Sequence, residues 1–268
     1  MKKLFYLVCT LTLIVSCKDK TSTNTTNDKE TVKDSAVEVE KPKYPENLVK
    51  VFDAHGGLDT WKTMRTLEFS MQKPDGYEIT TTDLKERYSL VEMPKHTIGF
   101  DGESVWMKST KGAKYEGNPA FYYNLMFYFY AMPFVLADAG INYSEAEALT
   151  VEGKTYPGIK IAYNAGVGAS SDDEYVLYYD KDTYHMTWLA YTVTFGKNEK
   201  SNDWNFIKYA EWQEVDNLLL PKSITWYNVD NNQPTTVKNE VEFSNISLST
   251  DKMDLRMYMM PEGAEEIL

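Results

Sequence analysis

Residues able to act as nucleophiles, bases or metal ligands are few in this chain and poorly grouped. The three histidines, His55, His96 and His185, are scattered, and no two share the i, i+4 spacing that puts a pair of ligands on one helix face. No Gly-x-Ser-x-Gly elbow occurs. Gly166-Val167-Gly168-Ala169-Ser170-Ser171 is glycine-rich but lacks a Lys and a following helical pattern, so it reads as a loop and not a phosphate cradle. Asp172-Asp173-Glu174 lacks the spacing of an EF-hand and reads as a solvated turn. Forty Asp and Glu provide no pair that can be singled out for hydrolysis. His55 ends a helix-like run, where the helix dipole would favour its charged form, and it reads as structural. The expectation is a protein with no catalytic residue, no metal and no cofactor.

One thiol has a clear chemistry. Lys2 and Lys3 precede an apolar run from Leu4 to Ile14, too short to span a bilayer comfortably and typical of a secretory signal. The run ends Ile14-Val15-Ser16-Cys17, which resembles the bacterial lipobox. That resemblance implies cleavage before Cys17 and acylation of Cys17, with palmitate among the usual chains. Two or three acyl chains make a stable membrane anchor where one does not. Cys9 lies within the signal, so no disulfide and no catalytic thiol is expected in the mature chain. Lys18 does not resemble an inner-membrane retention signal. The expected location is therefore the cell envelope, at the outer membrane, with the periplasmic and surface faces both open.

Composition narrows the partners. The chain has 268 residues, 28 Lys and Arg against 40 Asp and Glu, and a net charge of −12, which argues against nucleic acid. Residues 1–17 are the signal. Residues 18–43 hold no aromatic, six Lys and six acidic residues. They read as a disordered tether that reaches roughly 28 Å as a flexible coil. Residues 44–268 form one domain carrying a net −14, which disfavours lying flat on anionic headgroups.

The element pattern of that domain is mainly β. A helix opens it, with Leu48, Val51 and Phe52 on one face and Gly56-Gly57 as its C-cap. Strand-like runs follow near 67–71, 77–92, 95–100, 103–109, 142–150, 156–164, 174–180, 184–196, 203–215, 219–229 and 235–248. Turn residues such as Asp101-Gly102, Asp180-Lys181-Asp182, Asp216-Asn217 and Asp230-Asn231-Asn232 separate them, as in consecutive antiparallel hairpins. Residues 118–139 interrupt the series and read as one or two buried helices, with Asn118 as cap and Pro119 in the first turn. Several strands are apolar on both faces, which fits a curved sheet with a lined interior. Tyr184, Met186 and Trp188 are expected on one face of their strand, and Trp204, Phe206 and Trp212 on one face of theirs.

Ala54-His55-Gly56-Gly57-Leu58 with Trp61, Phe100-Asp101-Gly102 through Trp106, Val151-Glu152-Gly153-Lys154, Tyr178-Tyr179-Asp180 through Thr183, and Trp212 through Pro221 occur in the order seen in LolA-like lipoprotein-sorting proteins. The chain resembles that LolA-like and LolB-like superfamily over most of 46–246, nearest to envelope lipoproteins of Bacteroidota. The resemblance implies an incomplete antiparallel β-barrel, a half-barrel closed by helices over a hydrophobic cavity. It implies a lipid or a lipoprotein acyl chain as ligand, held or passed on by a carrier or acceptor. An Arg in the barrel wall of LolA proteins has one match here, Arg87, placed in a strand from Leu84 to Leu90; an exterior salt bridge is the competing role. The expected cavity lining is Phe69, Tyr88, Trp106, Phe127, Trp188 and Trp204, enclosing a few hundred Å³. A surface glycan-binding lipoprotein would instead show exposed coplanar aromatics. An envelope enzyme would show two carboxyls in a cleft, and a non-catalytic scaffold would show a filled interior.

Overall fold

The computed structural model describes residues 43–166, 170–197 and 199–267. The signal, Cys17 and the tether up to residue 42 lie outside the described residues, as does part of the glycine-rich loop (167–169).

Helix α1 (Glu46–Ala54) buries Leu48, Val51 and Phe52 at the expected spacing. Its end is built as the sequence implies. Gly56 and Gly57 have φ of 100° and 91°, and their N–H groups donate to Asp53 and Phe52 carbonyls. Gly56 has a second duty, because a Cβ there would meet the Asn217 carbonyl oxygen at 2.1 Å. The strand-to-strand turn at Asp216-Asn217 thus lies directly against the helix end. Helix α2 (Leu58–Thr63) follows, with Trp61 buried.

Among the described residues thirteen strands form one sheet: β1 (Thr66–Lys73), β2 (Gly76–Asp83), β3 (Ser89–Glu92), β4 (His96–Phe100), β5 (Val105–Ser109), β6 (Ile141–Val151), β7 (Lys154–Tyr163), β8 (Glu174–Tyr179), β9 (Met186–Tyr191), β10 (Asn205–Val215), β11 (Leu218–Asp230), β12 (Gln233–Ser249) and β13 (Glu265–Ile267). All neighbours pair antiparallel. The order is β13-β5-β4-β3-β2-β1-β12-β11-β10-β9-β8-β7-β6. Strand β12, 17 residues long, joins the two halves: its first part pairs β11 and its last part pairs β1. The outer strands β13 and β6 do not pair with each other, so the sheet is an incomplete barrel.

Between β5 and β6 the chain turns onto the inner face. Helix α3 (Pro119–Tyr122), helix α4 (Leu125–Tyr130) and a 3-10 turn (Phe134–Ala137) occupy it. Asn118 caps α3 by accepting from the Phe121 N–H. Short helices leave carbonyls without partners, and here hydroxyls supply them. Ser89 donates to Tyr123, Tyr209 to Phe129, Tyr143 to Leu136 and Tyr44 to Ala137. Phe127, Phe129, Tyr130, Phe134, Val135 and Leu136 fill the main core with residues of β1 and β7–β12. Phe69 stacks on Tyr130 at 4.3 Å and Trp61 on Phe134 at 4.9 Å.

Four expectations change. The run 77–92 is not one strand: Leu84–Tyr88 is a turn between β2 and β3, started by Asp83, whose Oδ1 accepts from the Lys85 and Glu86 N–H groups. Arg87 sits in that turn with φ 63° and not in a strand. Met186 and Trp188 part company, Met186 entering the main core and Trp188 the outer face. The register slips there, since Tyr179 pairs Met186 while Tyr178 pairs Trp188, and one extra residue inverts the alternation. Similar slips between Lys208 and Trp212 bring Trp212 to the inner face, away from Trp204 and Phe206.

Candidate functional site

The six aromatics named from sequence do not line one space. Phe69 and Phe127 lie in the main core. Trp188 is buried with Phe206 in a second cluster, against which Trp204 packs. Trp106 belongs to a third cluster with Leu90 and Tyr258, and Tyr88 packs on it. Strand alternation explains the split, because neighbours along β3–β5 show opposite faces. Trp106 lies over Gly99 on the outer face, and its indole N–H donates to the Tyr258 carbonyl at 2.8 Å. The interior expected to be a cavity of a few hundred Å³ is instead packed by residues 125–137 of the chain itself.

A smaller cavity of about 180 Å³ remains at one end of that packing. Its floor is the inner face of β2–β4, where Thr82 pairs Ser89 and Ser89 pairs Phe100. Its walls are Tyr123, Phe127 and Tyr128, with Arg87 and Asp138 at the rim. Phe127 is the one residue named from sequence that lines it besides Arg87.

Arg87 and Asp138 are 51 residues apart and joined by one guanidinium nitrogen. Arg87 Nη2 donates to both carboxylate oxygens of Asp138, at 2.6 and 2.7 Å. The guanidinium also lies 5.1 Å from the Phe127 ring centroid, a cation–π distance. The pair ties the β2–β3 turn to the chain entering β6, the sheet's last strand, so it fastens residues 118–139 over the inner face. Burial raises the Asp138 carboxyl above its usual range, and Arg87 opposes that. The Tyr128 phenol is pushed up to about 12, chiefly by burial and then by Asp138.

Two polar groups of this site are unsatisfied. Arg87 Nη1 and Thr82 Oγ1 are buried and have no hydrogen-bond partner among the described residues. Buried donors are nearly always paired, so an apolar cavity bordered by an orphan N–H and an orphan hydroxyl suits an apolar ligand with one polar oxygen. Sequence reasoning missed Thr82, Phe100, Tyr128 and Asp138. The only signal was the threonine run Thr80-Thr81-Thr82, unusual on a strand with a buried inner face.

His55 is not a ligand. Its Nδ1 donates to the Val51 carbonyl at 2.8 Å, which leaves Nε2 as an acceptor, buried and unpartnered. Its ring packs edge-on to Trp212 at 4.4 Å. Burial holds its pKa down at about 4, so desolvation overrides the helix-end preference expected from sequence. Among the described residues there is no cluster of His, Cys, Asp and Glu that could hold a metal, and no helix long and apolar enough to cross a membrane.

Fold and site together define an open antiparallel half-barrel whose inner face is roofed by its own aromatic segment. The chain belongs to a family of unknown function, DUF6503, whose model matches residues 2–243. No curated protein matches it. Among solved structures it is similar to a LolA superfamily protein from Nitrosomonas europaea, at 8% identity and TM-score 0.44, over 74% of this chain and 89% of that one. It is also similar to a DUF1329 family protein from Desulfovibrio piger, at 12% identity and TM-score 0.43, over 75% and 93%. The lipoprotein LppX of Mycobacterium tuberculosis matches at 11% identity and TM-score 0.25, over 55% and 88%. These likenesses are too distant to carry a ligand or an activity across.

Proposed function

We propose that this protein is a non-catalytic, lipid-anchored envelope protein that holds an apolar chain, a lipid or a lipoprotein acyl chain, at the inner face of its half-barrel. The observation that carries the reading is the cavity beside Arg87, apolar on its walls yet edged by the unpartnered Arg87 Nη1 and Thr82 Oγ1. A carbonyl or ester oxygen would satisfy those groups while the chain displaces water from Phe100, Tyr123 and Phe127. Burial of apolar area supplies the affinity, at about 0.8 kcal/mol for each CH₂.

At about 180 Å³ the cavity is below the roughly 300–1,000 Å³ of usual ligand pockets. It takes a short stretch of chain with its carbonyl or ester oxygen at Arg87 and Thr82, and longer chains require residues 125–137 to yield. The anchor at Cys17 and the outer membrane as destination belong to the same proposal, supported by the signal-like run and the residues around Cys17.

Phe127→Trp tests it by filling the cavity. The wild-type domain should brighten a fluorescent fatty-acid probe in a saturable titration, and the variant should lose most of that signal while unfolding at a similar urea concentration. Equal binding by both proteins places the probe elsewhere and removes the cavity from the account.

A further inference from the structure

Two of the strands that floor the cavity, β2 and β4, also border a second, separate space. A cleft of about 480 Å³ opens at the other end of β2 and β4. Glu78 and His96 line the cleft, whereas Thr82 and Phe100 line the cavity. Each pair is four residues apart on one strand, about 13 Å. Thr80 lies between Glu78 and Thr82 on the same face, buried, with its hydroxyl unpartnered. The end of α3 roofs this strip: Tyr122 lines the cleft and its neighbour Tyr123 the cavity.

The two ends differ in charge. The cleft gathers three ammonium groups, Lys73 at the end of β1, Lys95 in the β3–β4 turn and Lys114 before α3, beside His96. Two carboxylates, Asp75 and Glu78, also line it. Glu78 is engaged, being buried, accepting from the Tyr122 hydroxyl at 2.7 Å and standing 3.6 Å from Lys73. Lys95 meets Asp75 at 3.4 Å, and Lys114 meets Glu116 at 3.1 Å, all four side chains being more than half exposed. Exposed pairs of this kind contribute little, so both ammonium groups can turn to a stronger acceptor. Three lysines on one cleft stand out in a chain of net charge −12.

We infer that this cleft takes an anionic oxygen group, a phosphate or a carboxylate, at the head of an amphipathic ligand whose apolar chain lies in the cavity beyond α3. The second half of that statement rests on the proposed binding of an apolar chain; the anion site does not. Lys95 and Lys114 supply the charge, and Lys73, held by Glu78 and Tyr122, supplies a fixed donor.

The test uses the full mature chain and its K95A/K114A variant, whose changes are both at exposed positions. Each is incubated with equal amounts of phosphatidylglycerol and phosphatidylcholine of identical chains and read by native mass spectrometry. Each is also titrated calorimetrically with glycerol 3-phosphate, a head without chains. Wild type should take the anionic lipid over the zwitterionic one by about tenfold, the equivalent of about 1.4 kcal/mol. The variant should take both about equally, its uptake of the anionic lipid falling to that of the zwitterionic one. If wild type takes neither lipid yet binds glycerol 3-phosphate, and the variant does not, the anion site stands and the apolar-chain reading falls. If wild type takes both lipids equally, or fails to bind glycerol 3-phosphate, or the variant keeps the preference, the inference is overturned.

Discussion

His55 is buried completely, and its imidazole has one hydrogen bond and one orphan nitrogen. Its pKa stands at about 4, against 6.5 for the free side chain, with burial as the main cause and the neighbouring His185 adding to it. The unfolded chain therefore binds a proton between pH 6.5 and 4 that the folded chain refuses. Stability is full above about pH 6.5 and is lost as pH falls towards 4, by roughly 3 kcal/mol for a shift of this size. Urea unfolding across that range should show the loss, and His55→Phe, which cannot titrate, should lower stability at pH 7 but flatten the slope. A variant with the wild-type slope would assign the pH dependence to other groups. The reading of His55 as structural came from its place at a helix C-terminus, where the dipole favours a charged imidazole. Its low pKa was not legible, because the Trp212 that covers it reaches the inner face only through a register slip in β10.

At the scale of elements, most of the sheet was legible because its turns are spelled in Asp, Asn and Gly. Asp101 and Asp180 each accept from two following N–H groups, and Asp216, Asn217, Asn231 and Asn232 adopt positive φ. The faces were less legible. Period-two alternation assumes an unbroken ladder, and single extra residues near Thr187 and between Lys208 and Trp212 reversed it. The contact of Arg87 with Asp138 links residues far apart in sequence, and nothing local marks it. The α1 end offers a paired test of packing between elements. Gly56 and Gly57 share a positive φ, but only Gly56 faces a backbone oxygen, whereas a Cβ on Gly57 would have just the Thr60 hydroxyl at 3.9 Å. Gly57→Ala should cost about 1–3 kcal/mol from backbone strain alone. Gly56→Ala should cost at least about 2 kcal/mol more, because the turn between β10 and β11 has to move. Equal urea midpoints for the two variants would show that the turn is not pressed against the helix.

At the scale of the whole molecule, the open sheet has two edges to protect. Strand β13 is three residues long and carries Glu265 and Glu266, and β6 has a register slip between Ala146 and Leu149 beside Glu145 and Glu147. Charge and irregularity at an edge discourage pairing with another sheet. The anchor proposed at Cys17 would set where this domain works. Cys17→Ala in the full chain should shift the protein from the membrane pellet to the soluble fraction and remove the mass of the acyl chains; an unchanged pellet fraction would put the anchor elsewhere. The central claim, an apolar chain held beside Arg87, is tested most directly by native mass spectrometry of residues 21–268 purified from the periplasm of a Gram-negative host. The account predicts a co-purifying acyl species, recovered by solvent extraction and lost in Phe127→Trp. A clean unliganded mass, with no uptake of a fluorescent fatty acid, would contradict it and leave a filled half-barrel that serves as a scaffold.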